Sequence, residues 1–198
     1  MIILVALFWF ILALLLAMVE IEIEGKFGWA EKLPTWYRKS GCFKSISYIW
    51  SKKPQTGYHL FMISFLVLIF HAGFFLGLNW NLEKELEILS IFFIFIVIWD
   101  FLWFVLNLAY TIKNFKKSKI WWYSTSYWVL GLFPIDYLYS LVISLILAYF
   151  AGILVYQLEL IGLFILFTFI AIVVAPYYHK WYKKMRKKDD RKLSGIFH

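Results

Sequence analysis

Five apolar stretches, each about as long as a bilayer is thick, constrain this chain more than any other feature. They lie at 2–19, 60–80, 88–111, 134–156 and 160–178. A hydrocarbon core of about 30 Å needs about 20 mostly apolar residues per helix. The runs are continuous rather than alternating, so they do not suit strands of a barrel. Composition agrees, with 63% hydrophobic and 16% charged residues and a mean hydropathy of +0.76. A soluble domain is roughly 45–50% apolar and about 25% charged. An ordinary cytosolic domain and a disordered chain are thereby excluded. The single cysteine, Cys42, leaves no intrachain disulfide and no cysteine metal site. The expected fold is all-α: a polytopic membrane bundle over residues 1–179, followed by a basic tail at 180–198. The first run has no Lys or Arg before it and no A-x-A site after it, so it reads as a retained helix rather than a signal peptide.

Charge gives the expected orientation. Of the 20 Lys and Arg residues, seven fall in 20–58, four in 112–127 and eight in 180–198. The turn at 81–87 holds one, and the turn at 157–159 none. With five spans every basic segment lies on one side, and the positive-inside rule gives N-out and C-in. The net charge of +8 therefore points to anionic headgroups at the cytoplasmic face, not to nucleic acid. The expected location is the cytoplasmic membrane of a prokaryote.

The cytoplasmic loop 20–58 is rich in aromatic residues. Phe43, Ile46 and Trp50 recur at helical spacing, with Lys44, Ser45 and Ser51 on the other side. That pattern predicts a short helix lying on the membrane. The loop after the third span pairs Lys116 and Lys117 with Trp121, Trp122, Tyr123 and Trp128, a second interfacial element. Gly73 and Gly77 form a G-x-x-x-G, a close-packing signal that would suit a homo-oligomer face. No internal repeat supports an inverted-repeat transporter.

No nucleotide-binding, zinc-protease or nucleophile-elbow motif is present. Candidate residues must therefore be judged by depth. Glu20, Glu22 and Glu24 close the first span; Glu20 and Glu24 share a helical face and could hold a hard cation or an acid–base pair. His59 and His179 sit at similar depth on the second and fifth spans. With Glu20 and Glu24 they are the expected ligands of a divalent metal. Asp136, just after Pro134, is explained by the first turn of a helix; its spacing with Ser140 and Ser144 marks a helix-facing stripe. Asp100 and His71 fall near the middle of their predicted spans, where a carboxylate is costly unless paired. They are expected to pair, with Asn107 below them on the same polar strip, as the catalytic groups.

Several segments are too particular for membrane filler: Glu22-Ile23-Glu24-Gly25-Lys26, Gly28-Trp29-Ala30, Leu33-Pro34-Thr35-Trp36, Thr56-Gly57-Tyr58-His59 and Trp99-Asp100-Phe101-Leu102-Trp103. The layout is similar to the five-span, N-out haem b subunit of respiratory nitrate reductases, which also places histidines on spans two and five. The outer half of the fifth span here has no histidine, so the resemblance implies a single haem b held by His59 and His179. The leading expectation is an acidic and imidazole site opening to the cytoplasmic leaflet, in an enzyme acting on a lipid-like substrate. The alternatives are a haem-binding electron-transfer subunit, a small transporter and a non-catalytic assembly protein.

Overall fold

A computed structural model describes residues 1–38 and 53–187, and the chain there is mostly helical. Helix α1 spans Ile2–Glu24. A two-residue strand β1 (Tyr37–Arg38) pairs antiparallel with β2 (Gln55–Thr56). Then come α2 (Gly57–Phe70), a single turn α3 (Ala72–Phe75) and the long α4 (Leu82–Leu106). Two 3₁₀ turns and a β3–β4 hairpin (Trp128–Val129, Phe133–Pro134) lead into α5 (Ile135–Phe150) and α6 (Leu154–Lys187).

Three helices, α1, α4 and α6, are long and apolar enough to cross a membrane. Their outer faces carry large apolar side chains, among them Leu4 at 71% and Phe169 at 62% exposure. Water would not tolerate such a belt on a monomer. α4 is the central helix: α1, α5 and α6 all pack against it, whereas α2 touches it sparingly. The core is strongly aromatic, with Phe95, Phe104, Phe164 and Tyr123 fully enclosed.

Helix boundaries differ from the sequence expectation in instructive ways. The predicted second span stops at Phe70, after 14 residues, with His71 as its cap. Gly77, at φ 104°, ends the turn that follows. Gly73 and Gly77 therefore do not share one helical face, and the expected oligomer stripe is not formed. The acidic turn at 81–87 is instead the start of α4, capped by Asn81, whose side chain accepts from the Lys84 amide at 2.8 Å. Carboxylates are favoured there by the helix dipole, so Glu83 and Glu85 begin a helix rather than interrupt one. Likewise the turn between α5 and α6 falls at Gly152 (φ 72°), and Gln157 lies inside α6, fully buried. Its amide donates to Ser144 Oγ at 2.8 Å and to the Ser90 carbonyl at 3.2 Å. The predicted interfacial helix around Phe43–Trp50 lies outside the described residues, as does the tail beyond Lys187.

The second aromatic loop is only partly at the surface: Lys116, Lys117 and Trp121 are exposed. Trp122, Tyr123 and Trp128 are buried, folded back over the end of α4. Phe104, Tyr110, Phe115 and Trp103 surround them, with ring contacts to Trp122 and Trp128 between 5.3 and 6.0 Å. Aromatic pairs of this kind prefer such packing when enough of them can be enclosed together.

A candidate membrane-embedded site

The site begins with a stripe on α1. Ala6, Phe10, Ala13 and Ala17 are buried at alternating spacings of three and four residues, and the same stripe continues to Glu20 and Glu24. A 3.5-residue repeat of this kind keeps one face turned to a neighbouring helix, and the alanines let α1 approach α4 closely. Both glutamates are thus carried inside the bundle, at 7% and 5% exposure, while Glu22 faces outward.

The chain after α1 curls back over these carboxylates. Trp29 and Ala30 adopt left-handed backbone (φ 57° and 52°). That costs roughly 1–2 kcal/mol per residue for side chains with a Cβ. The turn is held by Glu24, whose Oε1 accepts the Ala30 amide at 2.5 Å. Gly28 is needed for the close approach: a Cβ there would lie 2.0 Å from the Trp122 ring. Trp29 is fixed by its indole, which donates to the Pro54 carbonyl at 2.9 Å, and it stacks on His59 at 3.9 Å between centroids.

His59 is positioned by the start of α2. Thr56 is the N-cap; its hydroxyl accepts the His59 amide at 3.2 Å and lies 2.7 Å from His59 Nδ1. The other ring nitrogen, Nε2, then faces α1, at 3.8 Å from Glu20 Oε1 and 4.0 Å from Glu24 Oε1. Thr35 and Trp36 brace this cap. Thr35 Oγ1 accepts the Tyr58 amide at 3.0 Å, and a Cβ at Gly57 would strike the Trp36 indole nitrogen at 2.5 Å.

Asp100 comes from α4. The helix ends at Leu106 rather than near 111, so Asp100 lies six residues, ~9 Å, from its end. Its carboxylate accepts from Tyr123 at 3.0 Å and, over a very short bond, from Tyr137. Opposite stands Lys53, buried at 6% exposure. Its ammonium is 3.7 Å from the Tyr123 ring centre, 4.4 Å from that of Trp29 and 3.8 Å from Asp136 Oδ2. Burial pushes the Lys53 ammonium below its ordinary value, while the carboxylates of Asp100, Asp136 and Glu20 pull it back up. Burial also raises the Tyr123 hydroxyl, and the Asp100 charge adds to that rise. Asp136 lies in the first turn of α5, as the sequence predicts. Neither of its oxygens accepts a hydrogen bond among the described residues.

These groups line one cavity of about 260 Å³. Its polar end carries Glu20, Glu24, Asp100, Asp136, Lys53 and His59; its other end is made by Ile63, Phe93, Ile96 and Val97. Phe93, Ile96, Val97 and Asp100 follow one helical stripe of α4, and all four are half-buried amid otherwise enclosed positions. Phe93 lies seven residues, ~10 Å, further into the bundle than Asp100. The cavity is therefore amphipathic along the axis of α4.

The remaining sequence candidates fall elsewhere. His71 does not pair with Asp100. It caps α2 at the opposite end of the bundle, where Nε2 is 2.9 Å from Glu85 Oε1 and Nδ1 is 2.6 Å from the Val67 carbonyl. The expected pairing assumed a continuous second span, and the break after Phe70 removes it. Asn107 caps α4 and ties loops together: its amide donates to the Gly25 carbonyl at 2.8 Å, and its oxygen accepts the Ala109 amide at 2.9 Å. His179 is not in the cluster that Glu20, Glu24 and His59 form. Its Nε2 is 3.0 Å from the Leu106 carbonyl, so it serves the exposed end of α4. Glu20, Glu24 and His59 do converge, with one ligand atom from each within 4.8 Å of the others. Lys53, Tyr123, Tyr137 and Trp29 were not singled out as site residues from the sequence. No protein family, curated protein or solved structure matches this chain.

Proposed function

We propose that this protein is a membrane-embedded enzyme acting at the polar head of a lipid-like substrate. The cavity's two-ended lining carries this reading. Carboxylates, a lysine, an imidazole and tyrosines sit at one end, and an apolar stripe of α4 leads from them towards the middle of the bundle. A molecule that fills both ends must itself be amphipathic. Because α2 packs only sparingly on α4, an acyl or prenyl chain would enter between them. At the polar end, Asp100 with its two tyrosine donors offers an acid–base group, and Lys53 offers a cation for a developing negative charge.

The five-span topology belongs to the same proposal. The end of α1, the starts of α2 and α5, the end of α4 and His179 of α6 meet at one end of the bundle. That alternation fits five passes, N-out and C-in, with the site on the cytoplasmic leaflet of the cell membrane. α2 and α5, of 14 and 16 residues, are ~21 and ~24 Å long, so they cross only with help from their flanking loops. A reporter fused after His198 and found outside the cell would reverse this orientation.

The functional test uses the whole protein in nanodiscs made from a total bacterial lipid extract, followed by lipid mass spectrometry over time. The expected result is a lipid that changes with the wild-type protein and not with Asp100→Asn. If no lipid is consumed or retained by the wild-type protein, the enzyme reading is wrong.

A further inference from the structure

We propose that Glu20, Glu24 and His59 form a binding site for a divalent transition-metal ion, and that this ion, with Lys53, receives a phosphoryl head. The inference rests on the lipid-substrate reading above and names the substrate class for it. Its geometric basis is the spacing of the three groups. At 3.8 and 4.0 Å, the two carboxylate oxygens are too far from His59 Nε2 for hydrogen bonds. Ligands held ~2.1 Å from one ion at near-tetrahedral angles are ~3.4 Å apart, so each glutamate would close on His59 by a few tenths of an ångström, with all three ligand atoms already within 4.8 Å of one another. The two glutamates are one helical turn apart on a buried stripe, which fixes their relation before any ion arrives.

The support around the ligands has the form metal sites require. Thr56 Oγ1 lies 2.7 Å from His59 Nδ1, which holds the ring so that Nε2 faces the carboxylates. The Ala30 amide holds Glu24. An imidazole with two carboxylates suits an ion such as Zn²⁺ or Mn²⁺ rather than Ca²⁺. Three protein ligands leave a coordination position open to the cavity, as in catalytic sites.

One observation independent of the acidic cluster points to a ligand with acceptor oxygens. Trp103 and Trp122 line the same cavity at 3% and 4% exposure, and their indole N–H groups have no acceptor among the described residues. Buried donors of this kind are rarely left without an acceptor. Among the described residues, four carboxylates and one lysine line the cavity. A bound metal ion would offset those carboxylates, and the ion, Lys53 and the indoles together would then match the oxygens of a phosphate group. A phosphate could arrive free in water or on a lipid; the apolar end of the cavity distinguishes the two.

The test begins with the full-length protein in nanodiscs of neutral lipid, stripped with chelator and reloaded with Zn²⁺ or Mn²⁺. One equivalent should be retained, with affinity falling at least 100-fold in Glu20→Gln and in His59→Ala. Thr56→Val should cost about 10- to 100-fold, as loss of an orienting group does. With Mn²⁺, pulsed EPR should show coupling to one imidazole nitrogen, and that signal should vanish in His59→Ala. Glu20→Gln is nearly isosteric, so it remains informative if His59→Ala does not fold. Binding of short-chain phosphatidic acid, inorganic phosphate and diacylglycerol is then compared with and without metal. Phosphatidic acid should bind at least tenfold tighter with metal, and tighter than either of the others. Failure to retain metal, or equal retention in the variants, overturns the site. Metal retention with no preference for phosphatidic acid over diacylglycerol overturns the phosphoryl assignment. Tighter binding of inorganic phosphate than of phosphatidic acid overturns the lipid source as well. If lipid turnover persists in the metal-free protein, this inference fails while the enzyme reading stands.

Discussion

Asp100 is the acceptor of two tyrosine hydroxyls, and replacing it by Leu or by Asn separates that role from its charge. Both substitutions remove the negative charge, so any relief of repulsion from Glu20, Glu24 and Asp136 is common to the pair. Only Asn keeps an oxygen for Tyr123 and Tyr137. Leaving a buried hydroxyl without a partner costs about 1–3 kcal/mol. Two such groups make Asp100→Leu about 2–6 kcal/mol less stable than Asp100→Asn. The measurement is reversible unfolding in mixed detergent micelles, followed by tryptophan fluorescence. Tyr123→Phe and Tyr137→Phe, added to both variants, should erase the gap, because removing donor and acceptor together is nearly neutral. Equal stability of the two single variants, or a gap that survives loss of both hydroxyls, would refute the reasoning.

Gly28→Ala places a Cβ 2.0 Å from the Trp122 ring, so a loss of about 1–3 kcal/mol is expected from overpacking, measured by the same unfolding assay. Lys53→Met leaves the Asp136 carboxylate buried without its ammonium, and breaking such a pair costs about 3–5 kcal/mol. Because burial lowers the Lys53 value from its ordinary 10.5, the unfolded chain holds more protons between the two values. Stability from this group therefore rises with pH across that window, by at most about 1.4 kcal/mol per pH unit. The wild-type curve should show that rise relative to Lys53→Met, and a falling difference would count against it. His71→Ala, at the opposite end of the bundle, should leave metal retention within twofold of wild type.

The long apolar helices were legible because each is a sustained signal, and the convergence of Glu20 with Glu24 was legible from their four-residue spacing. The alanine stripe at 6, 13 and 17 also runs straight into those glutamates, so their burial could have been read from α1 alone. The misplaced starts of α4 and α6 share one cause. Charged or polar residues were treated as the edges of spans, whereas a carboxylate opens a helix well and an amide can be satisfied inside one. Glu83 and Glu85 begin α4, and Gln157 sits within α6 with two hydrogen bonds. The end of α2 at His71 had no strong sequence signal, since Gly73 and Gly77 suit a membrane helix as well as a turn. Lys53, Tyr123 and Tyr137 were not foreseen for a different reason. Each reaches the site through long-range packing, and Tyr123 lies 23 positions from the aspartate it meets.

On the five-span reading, the shortness of α2 and α5 explains how so many charges can sit beside hydrocarbon. A carboxylate at the centre of a bilayer costs at least 2.5–3.5 kcal/mol, and the polar end of this cavity holds four. Two of the helices that border it fall ~6–9 Å short of a core about 30 Å thick. At the site end, each is preceded by a two-residue ribbon, β1–β2 before α2 and β3–β4 before α5. Polar backbone therefore stands where a full-length helix would have placed apolar side chains. That draws the interface inward on the side of the cavity bearing Lys53, His59 and Asp136. Glu20, Glu24 and Asp100 come from the long helices α1 and α4, and they face this indented side rather than lipid. On this reading the charged groups would lie at headgroup depth, and the stripe from Phe93 to Val97 would mark where hydrocarbon begins.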